Sequence, residues 1–312
     1  MAIALDAEVG AVLMEAAAAA GTAPVAERGD AAALRAITNA TLGAVYGQIP
    51  AGEAVTRSDF EIEADDGAVV PVRWYVPDGR SSDSAVVYAH GGGMICGSIE
   101  LYDKMVAHYA QLTGVAFLSV DYRLAPENTG ERLAKDVYAA LNWLLGECDA
   151  LGVDPRRVAI MGDSGGGGVA AGAAILARDS GVPLARQILI YPMLDSRNLR
   201  PDPELAPTAT WTYDDNFTGW NALLPDESMV SAIASPAHLE DFSGLAPSFI
   251  DVGDLDIFRD ESIEYAQRLL RSGVSCELHV RSGAPHAFEW LAPQAAVSRQ
   301  SLDDRLRVIR GL

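Results

Sequence analysis

Three observations predict an α/β fold with a mostly parallel central sheet flanked by helices for this 312-residue chain. Short apolar runs rich in β-branched residues recur at 85–90 (AVVYAH), 115–122 (VAFLSVDY), 158–163 (VAIMGD) and 187–192 (QILIYP). Helix-length segments separate them, and the runs are apolar at nearly every position, as strands covered on both faces require. No internal repeat or low-complexity linker divides the chain, and only the alanine run at 16–20 is compositionally biased.

The elements follow in order. Residues 1–50 read as two Ala-rich helices, split by Gly21-Thr22-Ala23-Pro24 and ended by Gly47-Gln48-Ile49-Pro50, because Gly and Pro do not continue a helix. We take them as a leading cap on a main unit spanning 51–312. From Arg57 the period changes to alternation: RSDFEIEA, the turn Asp65-Asp66-Gly67 and VVPVRWYV form a hairpin with one buried face. The four buried strands follow. After Pro192 the pattern dissolves into a Pro-, Asp- and Trp-rich stretch, so a second cap insertion is expected at about 195–225. Strands resume at 248–254 (SFIDVGD) and 277–282 (ELHVRS), with the helix DESIEYAQRLLRSG between them, and SRQSLDDRLRVIRG is the last helix.

Composition narrows the function. With 23 basic and 43 acidic side chains the formal charge is −20, which repels phosphate backbones and anionic headgroups, so no nucleic-acid partner is expected. Apolar residues make up 49%, yet no stretch reaches the roughly 20 needed to span a bilayer. The three cysteines, Cys96, Cys148 and Cys276, are far apart, which encodes neither a disulfide framework nor a zinc knuckle. The leading segment carries Asp6, Glu8 and Glu15 and no basic residue before Arg28, unlike a signal peptide, so a cytoplasmic protein is expected.

Two motifs carry chemistry. The strand VAIMGD runs directly into Ser164 and the helix GGGGVAAGAAILAR, so Gly162-Asp163-Ser164-Gly165-Gly166 has the form G-x-S-x-G. Glycines flanking the serine allow a sharp strand-to-helix elbow that presents the hydroxyl above the sheet, at the positive end of a helix dipole. No lysine follows as in a phosphate-binding loop. His90-Gly91-Gly92-Gly93 ends an earlier strand, and its unhindered amides suit a developing oxyanion, with Gly165 N–H as a third donor. The His90 imidazole braces these glycines, Gly91 included.

A serine nucleophile needs a base, and the base an orienting acid. Five histidines compete. His90 is committed to the glycine loop, His108 sits in a helix, His279 in a strand and His238 in a Ser-Pro-Ala-His turn, whereas His286 follows the last strand, where this chain order places a base. Of the acids near 251–260, Asp251 falls inside a strand and Asp260 opens a helix as a cap. Asp254 and Asp256 remain, and the residue pattern alone does not separate them.

Together, HGGG at 90–93, DYRLAPE at 121–127, GDSGGG at 162–167, DIFRDE at 256–261 and HAF at 286–288 resemble the bacterial hormone-sensitive-lipase-like esterases of the α/β-hydrolase superfamily. The resemblance covers about residues 85–290 and implies the α/β-hydrolase fold with a helical cap. It also implies Asp256 as the acid, Gly92 and Gly93 with Gly165 as the oxyanion donors, and a possible homodimer. The chain departs from the family pattern at Met94, where an aromatic is usual, at Gly165, usually Ala, and in HAF, usually HGF. Arg123 and Glu127 are read as a charge pair holding the DYRLAPE loop.

The expectation is therefore a serine carboxylesterase for short- to medium-chain acyl esters, working through an acyl-enzyme on a small-molecule ester without metal or organic cofactor. Met94, Trp211, Tyr213, Phe217 and Trp220 are candidate pocket residues, although the helical spacing of the last three also fits ordinary packing. The alternatives are an amidase, deacetylase or aryl-ester hydrolase using the same residues, and a ligand-binding protein without turnover.

Overall fold

The computed structural model describes residues 3–20, 24–80 and 82–312. Helix α1 (Ala7–Ala20) precedes α2 (Ala31–Tyr46), whose start is capped by the Asp30 carboxylate accepting from Ala33 N–H at 2.9 Å. The predicted break at 21–23 lies outside the described residues. Strands β1 (Val55–Glu63) and β2 (Val69–Pro77) form the expected antiparallel hairpin. Then come β3 (Ala85–Ala89), α3 (Ile99–Thr113), β4 (Ala116–Val120), α4 (Arg132–Gly146), the short α5 (Cys148–Leu151), β5 (Val158–Asp163), α6 (Gly165–Asp179) and β6 (Arg186–Ile190). The chain continues through α7 (Tyr213–Leu223), β7 (Ser248–Gly253), α8 (Arg259–Arg271), β8 (Cys276–Arg281), α9 (Phe288–Leu291) and α10 (Ala296–Arg310).

The strands make one sheet ordered β1-β2-β4-β3-β5-β6-β7-β8, antiparallel through β1, β2 and β4 and parallel from β4 to β8. Every residue of β3, β4, β5 and β7 is buried, which explains their mostly apolar character. Alternate side chains serve two cores. In β3, Ala85, Val87 and Ala89 face a core shared with α4, α6 and α8, whereas Val86 and Tyr88 face one built from α3 and α10.

Two groups of polar contacts fix the architecture around the sheet. Buried Asp251 on β7 accepts from Arg281 Nε at 2.7 Å and Arg305 Nε at 3.0 Å, linking β7 to its neighbour β8 and fastening α10 to the sheet. On the opposite flank, the expected Arg123–Glu127 pair does not form. Arg123 instead grips Asp136 on α4 and Asp66 in the hairpin turn, while Glu127 is taken by Arg35 of α2, because the loop turns the two side chains towards different neighbours. Arg35 also donates to the carbonyls of Ile95 at 2.5 Å and Ala125 at 2.6 Å, so the leading helix is fastened to the segment that follows the triple glycine.

Candidate active site

Strand β5 delivers the chain to Ser164, which adopts φ 54° and ψ −122° before α6 begins. This left-handed, strained backbone is the elbow that the flanking glycines accommodate. Hydrogen bonds on both sides hold it. Ser164 N–H donates to Ile190 C=O at 2.9 Å, and Ser164 C=O accepts from Met193 N–H at 2.9 Å.

His286 follows β8, with its carbonyl accepting from Thr210 Oγ1 at 2.6 Å, and its ring packs edge-on against Tyr191 and Phe258. Nε2 lies 2.9 Å from Ser164 Oγ, and Nδ1 lies 2.7 Å from Asp256 Oδ2. The other oxygen, Asp256 Oδ1, accepts from Phe258 N–H at 2.9 Å, which fixes the carboxylate plane. Asp254, two residues earlier, accepts from Gly283 N–H at 2.7 Å and so braces the loop without reaching the imidazole. Asp260 does not cap α8 as expected. It lies in the first turn rather than at the capping position, and its carboxylate is paired with the neighbouring Arg259.

The remaining histidines are occupied elsewhere. His90 is buried, stacks on Tyr122 at 4.4 Å and directs Nδ1 at Gly91 C=O, and burial pushes its imidazole down to about 4, so it stays neutral beside the glycine loop. His108 is on α3, His238 contacts Ser196 and His279 contacts Glu277. Among the described residues, one trio has donor atoms close enough for a metal: Glu277, His279 and Asp304. Both of its carboxylates already bind arginines, Glu277 with Arg307 and Asp304 with Arg281, which leaves little uncompensated charge for a cation.

The triple glycine turns against the elbow. A methyl at Gly165 would lie 2.6 Å from Met94 N and 2.8 Å from Gly93 N, so the loop amides pack directly on the residue after the serine. No described residue accepts a hydrogen bond from the amides of Gly92, Gly93 or Gly165. Gly91 packs on Asp163 and Tyr102, and a side chain at Gly93 would strike the Trp211 ring. Beside the serine, burial pushes the Asp163 carboxyl up to about 6, with the Tyr88 hydroxyl donating to it.

A cavity of about 140 Å³ opens over these groups. Trp211 lines it, but the other candidate pocket residues do not. Met94 is turned into the core, Tyr213 packs into the same core, and Phe217 and Trp220 border a different surface groove, because the axis of α7 directs that face away from Ser164. The wall comes instead from Thr38, Thr41, Leu42, Val45 and Tyr46 of α2, with Trp290 and Leu291 of α9. The α2 residues fall at i, i+3, i+4, i+7 and i+8, a single helical stripe, which is the sequence signal that could have found them.

A serine, imidazole and carboxylate in hydrogen-bonding sequence above a parallel sheet, with amides free beside the hydroxyl, suit acyl transfer. A sequence family described as alpha/beta hydrolase fold matches residues 86–290. The chain is 36% identical over 238 residues to carboxylesterase NlhH of Mycobacterium tuberculosis, covering 73% of this chain and 74% of that protein. It is 32% identical over 245 residues to the ethyl acetate hydrolase of Pseudomonas putida, covering 74% and 75%. The solved structure of a bacterial heroin esterase superposes with a TM-score of 0.89 at 34% identity, covering 98% of this chain and 97% of that one. The fold and these relatives define a serine-type carboxylic ester hydrolase. The chain belongs to the alpha/beta hydrolase family matched over 86–290, within its hormone-sensitive-lipase-like bacterial esterases.

Proposed function

We propose that Ser164, His286 and Asp256 form the catalytic triad of this ester hydrolase and that its substrates carry short to medium acyl chains. The reading is carried by one observation, the imidazole bridging Ser164 Oγ at 2.9 Å and Asp256 Oδ2 at 2.7 Å. Ser164 Oγ attacks the acyl carbonyl and passes its proton to His286 Nε2, while Asp256 holds the Nδ1–H tautomer and stabilises the imidazolium. The amides of Gly92, Gly93 and Gly165 receive the oxyanion; losing one such donor costs about 3 kcal/mol of transition-state stabilisation. The tetrahedral intermediate then expels the alcohol, which takes the proton from Nε2 and leaves an acyl-enzyme. Water activated by His286 releases the carboxylic acid and restores the serine.

The chain-length reading is supported by the 140 Å³ pocket, since a cavity of about 150 Å³ takes a benzene-sized group. Similarity to an ethyl acetate hydrolase points the same way. In this reading α2 and the 195–225 segment act as cap over the 51–312 unit, with α2 supplying the pocket wall. A homodimer, a cytoplasmic location and the absence of a nucleic-acid partner belong to the same proposal. The net charge of −20 supports the last of these, and among the described residues no helix is long and apolar enough to cross a membrane. Light scattering tests the dimer.

Hydrolysis of p-nitrophenyl esters from acetate to palmitate by wild type and Ser164→Ala tests the function. We expect a maximum at short chains and no turnover above background in the folded variant. Preference for palmitate, or full activity in Ser164→Ala, overturns the reading.

A further inference from the structure

The pocket over Ser164 has a larger neighbour. A second cavity of about 590 Å³ runs between α2 and the α9–α10 segment, with Ile49, Pro50, Pro293 and Leu302 among its apolar walls. The two cavities share three wall residues, Val45, Trp290 and Leu291. Of these Trp290 is much the largest. Its ring is set edge-on against Tyr46, with centroids 5.6 Å apart at 90°, and against Tyr109, 6.1 Å apart at 86°. Its amide donates to Ala287 C=O at 3.1 Å, so Trp290 sits in the turn that begins directly after His286.

We propose that Trp290 is a specificity-determining residue, closing the catalytic pocket against this annex and so limiting the length of the alcohol arm of the ester. The proposal rests on the ester-hydrolase reading above. The arm is the alcohol for a geometric reason. The leaving oxygen must reach His286 Nε2 to collect its proton, and Trp290 lies four residues beyond that histidine, on the short helix α9 that follows it. On the side where the glycine loop receives the oxyanion, that loop meets the Trp211 ring at Gly93. Wild type therefore accepts short alcohols, and removing the indole opens an apolar channel that receives longer ones, at up to about fourfold per buried methylene.

The test uses two substrate series with Trp290→Ala. In butyl, hexyl and octyl acetate, kcat/KM for octyl relative to butyl rises at least about tenfold over wild type, out of a limit near 200-fold for four methylenes. In p-nitrophenyl butyrate and octanoate, the ratio moves less than about threefold. A second change, Ile49→Trp, refills the annex without lining the catalytic pocket, and added to Trp290→Ala it removes most of the gain. Trp290 is only half-buried, and Trp290→Leu provides a milder variant with the same expected direction. Turnover of p-nitrophenyl acetate, abolished by Ser164→Ala, keeps the ester reading separate from this one. The proposal is overturned if the octyl-to-butyl ratio stays within twofold in both variants. It is equally overturned if the acyl series gains as much, or if Ile49→Trp leaves the gain intact.

Discussion

Replacing Asp256 by Asn removes one charge and changes no volume, and under the proposed triad that small edit is severe. Asp256 is fully buried, with Oδ1 accepting from Phe258 N–H at 2.9 Å and Oδ2 facing His286 Nδ1 at 2.7 Å. In the asparagine the backbone amide of Phe258 retains the oxygen, so the NH₂ group is turned to Nδ1. The imidazole must then carry its proton on Nε2, where it faces Ser164 Oγ as a donor and cannot accept the hydroxyl proton. Loss of the imidazolium's counter-charge adds to the defect. A triad with this substitution loses about 10⁴ in kcat, near 5.4 kcal/mol at 1.36 kcal/mol per decade. Asp254→Asn is the internal control. Its carboxylate accepts only from Gly283 N–H, and an amide oxygen serves there equally, so kcat should stay within about threefold. The assay is p-nitrophenyl acetate turnover at neutral pH, with circular dichroism and urea unfolding to verify that both variants fold. If Asp256→Asn keeps more than about 1% of kcat, or Asp254→Asn loses as much, the assignment of the acid is wrong.

Other perturbations probe the surroundings of the proposed triad. Ala287 holds φ 57° and ψ 25°, a conformation that costs a non-glycine residue about 1 kcal/mol, so Ala287→Gly should raise unfolding stability by about 0.5–1 kcal/mol; an unchanged or lower urea midpoint contradicts this. Arg35→Ala releases α2 from the carbonyls of Ile95 and Ala125. We expect about 2 kcal/mol lower stability and roughly tenfold lower kcat, and wild-type kcat would break the proposed link between α2 and the glycine loop. Asp163 binds its proton more tightly folded than unfolded, so its stabilising contribution is complete below its ordinary value of 3.8 and is lost as pH rises through about 6. The stability of wild type relative to Asp163→Asn should therefore fall by about 2 kcal/mol between pH 4 and 7, and parallel curves would refute the burial argument.

Much of this protein was legible in its residues because local rules wrote it. Runs apolar at nearly every position predict strands covered on both faces, and β3, β4, β5 and β7 are buried throughout. Glycines on either side of Ser164 predict a sharp elbow, and its φ of 54° is one. The hairpin at Asp65-Asp66-Gly67 and the helix after Ser164 follow from turn and period alone. In each case a few neighbouring residues determine the outcome, so no distant contact is needed to read it.

What tertiary structure decided is everything set by direction in space. Asp254 and Asp256 are two residues apart on one loop, but only the fold turns one to His286 and the other to Gly283 N–H. Arg123 and Glu127 look like partners four positions apart, yet the loop points them to Asp136 and to Arg35, the latter from a helix some 90 residues earlier. The aromatic residues of the 195–225 segment suggest a pocket wall, but the orientation of α7 sends Phe217 and Trp220 elsewhere and leaves the wall to α2. Sequence fixes chemistry and local conformation, because these depend on covalent geometry and adjacent side chains. Which side chains meet depends on how helices pack over the sheet, a property of many weak contacts between residues far apart in the chain.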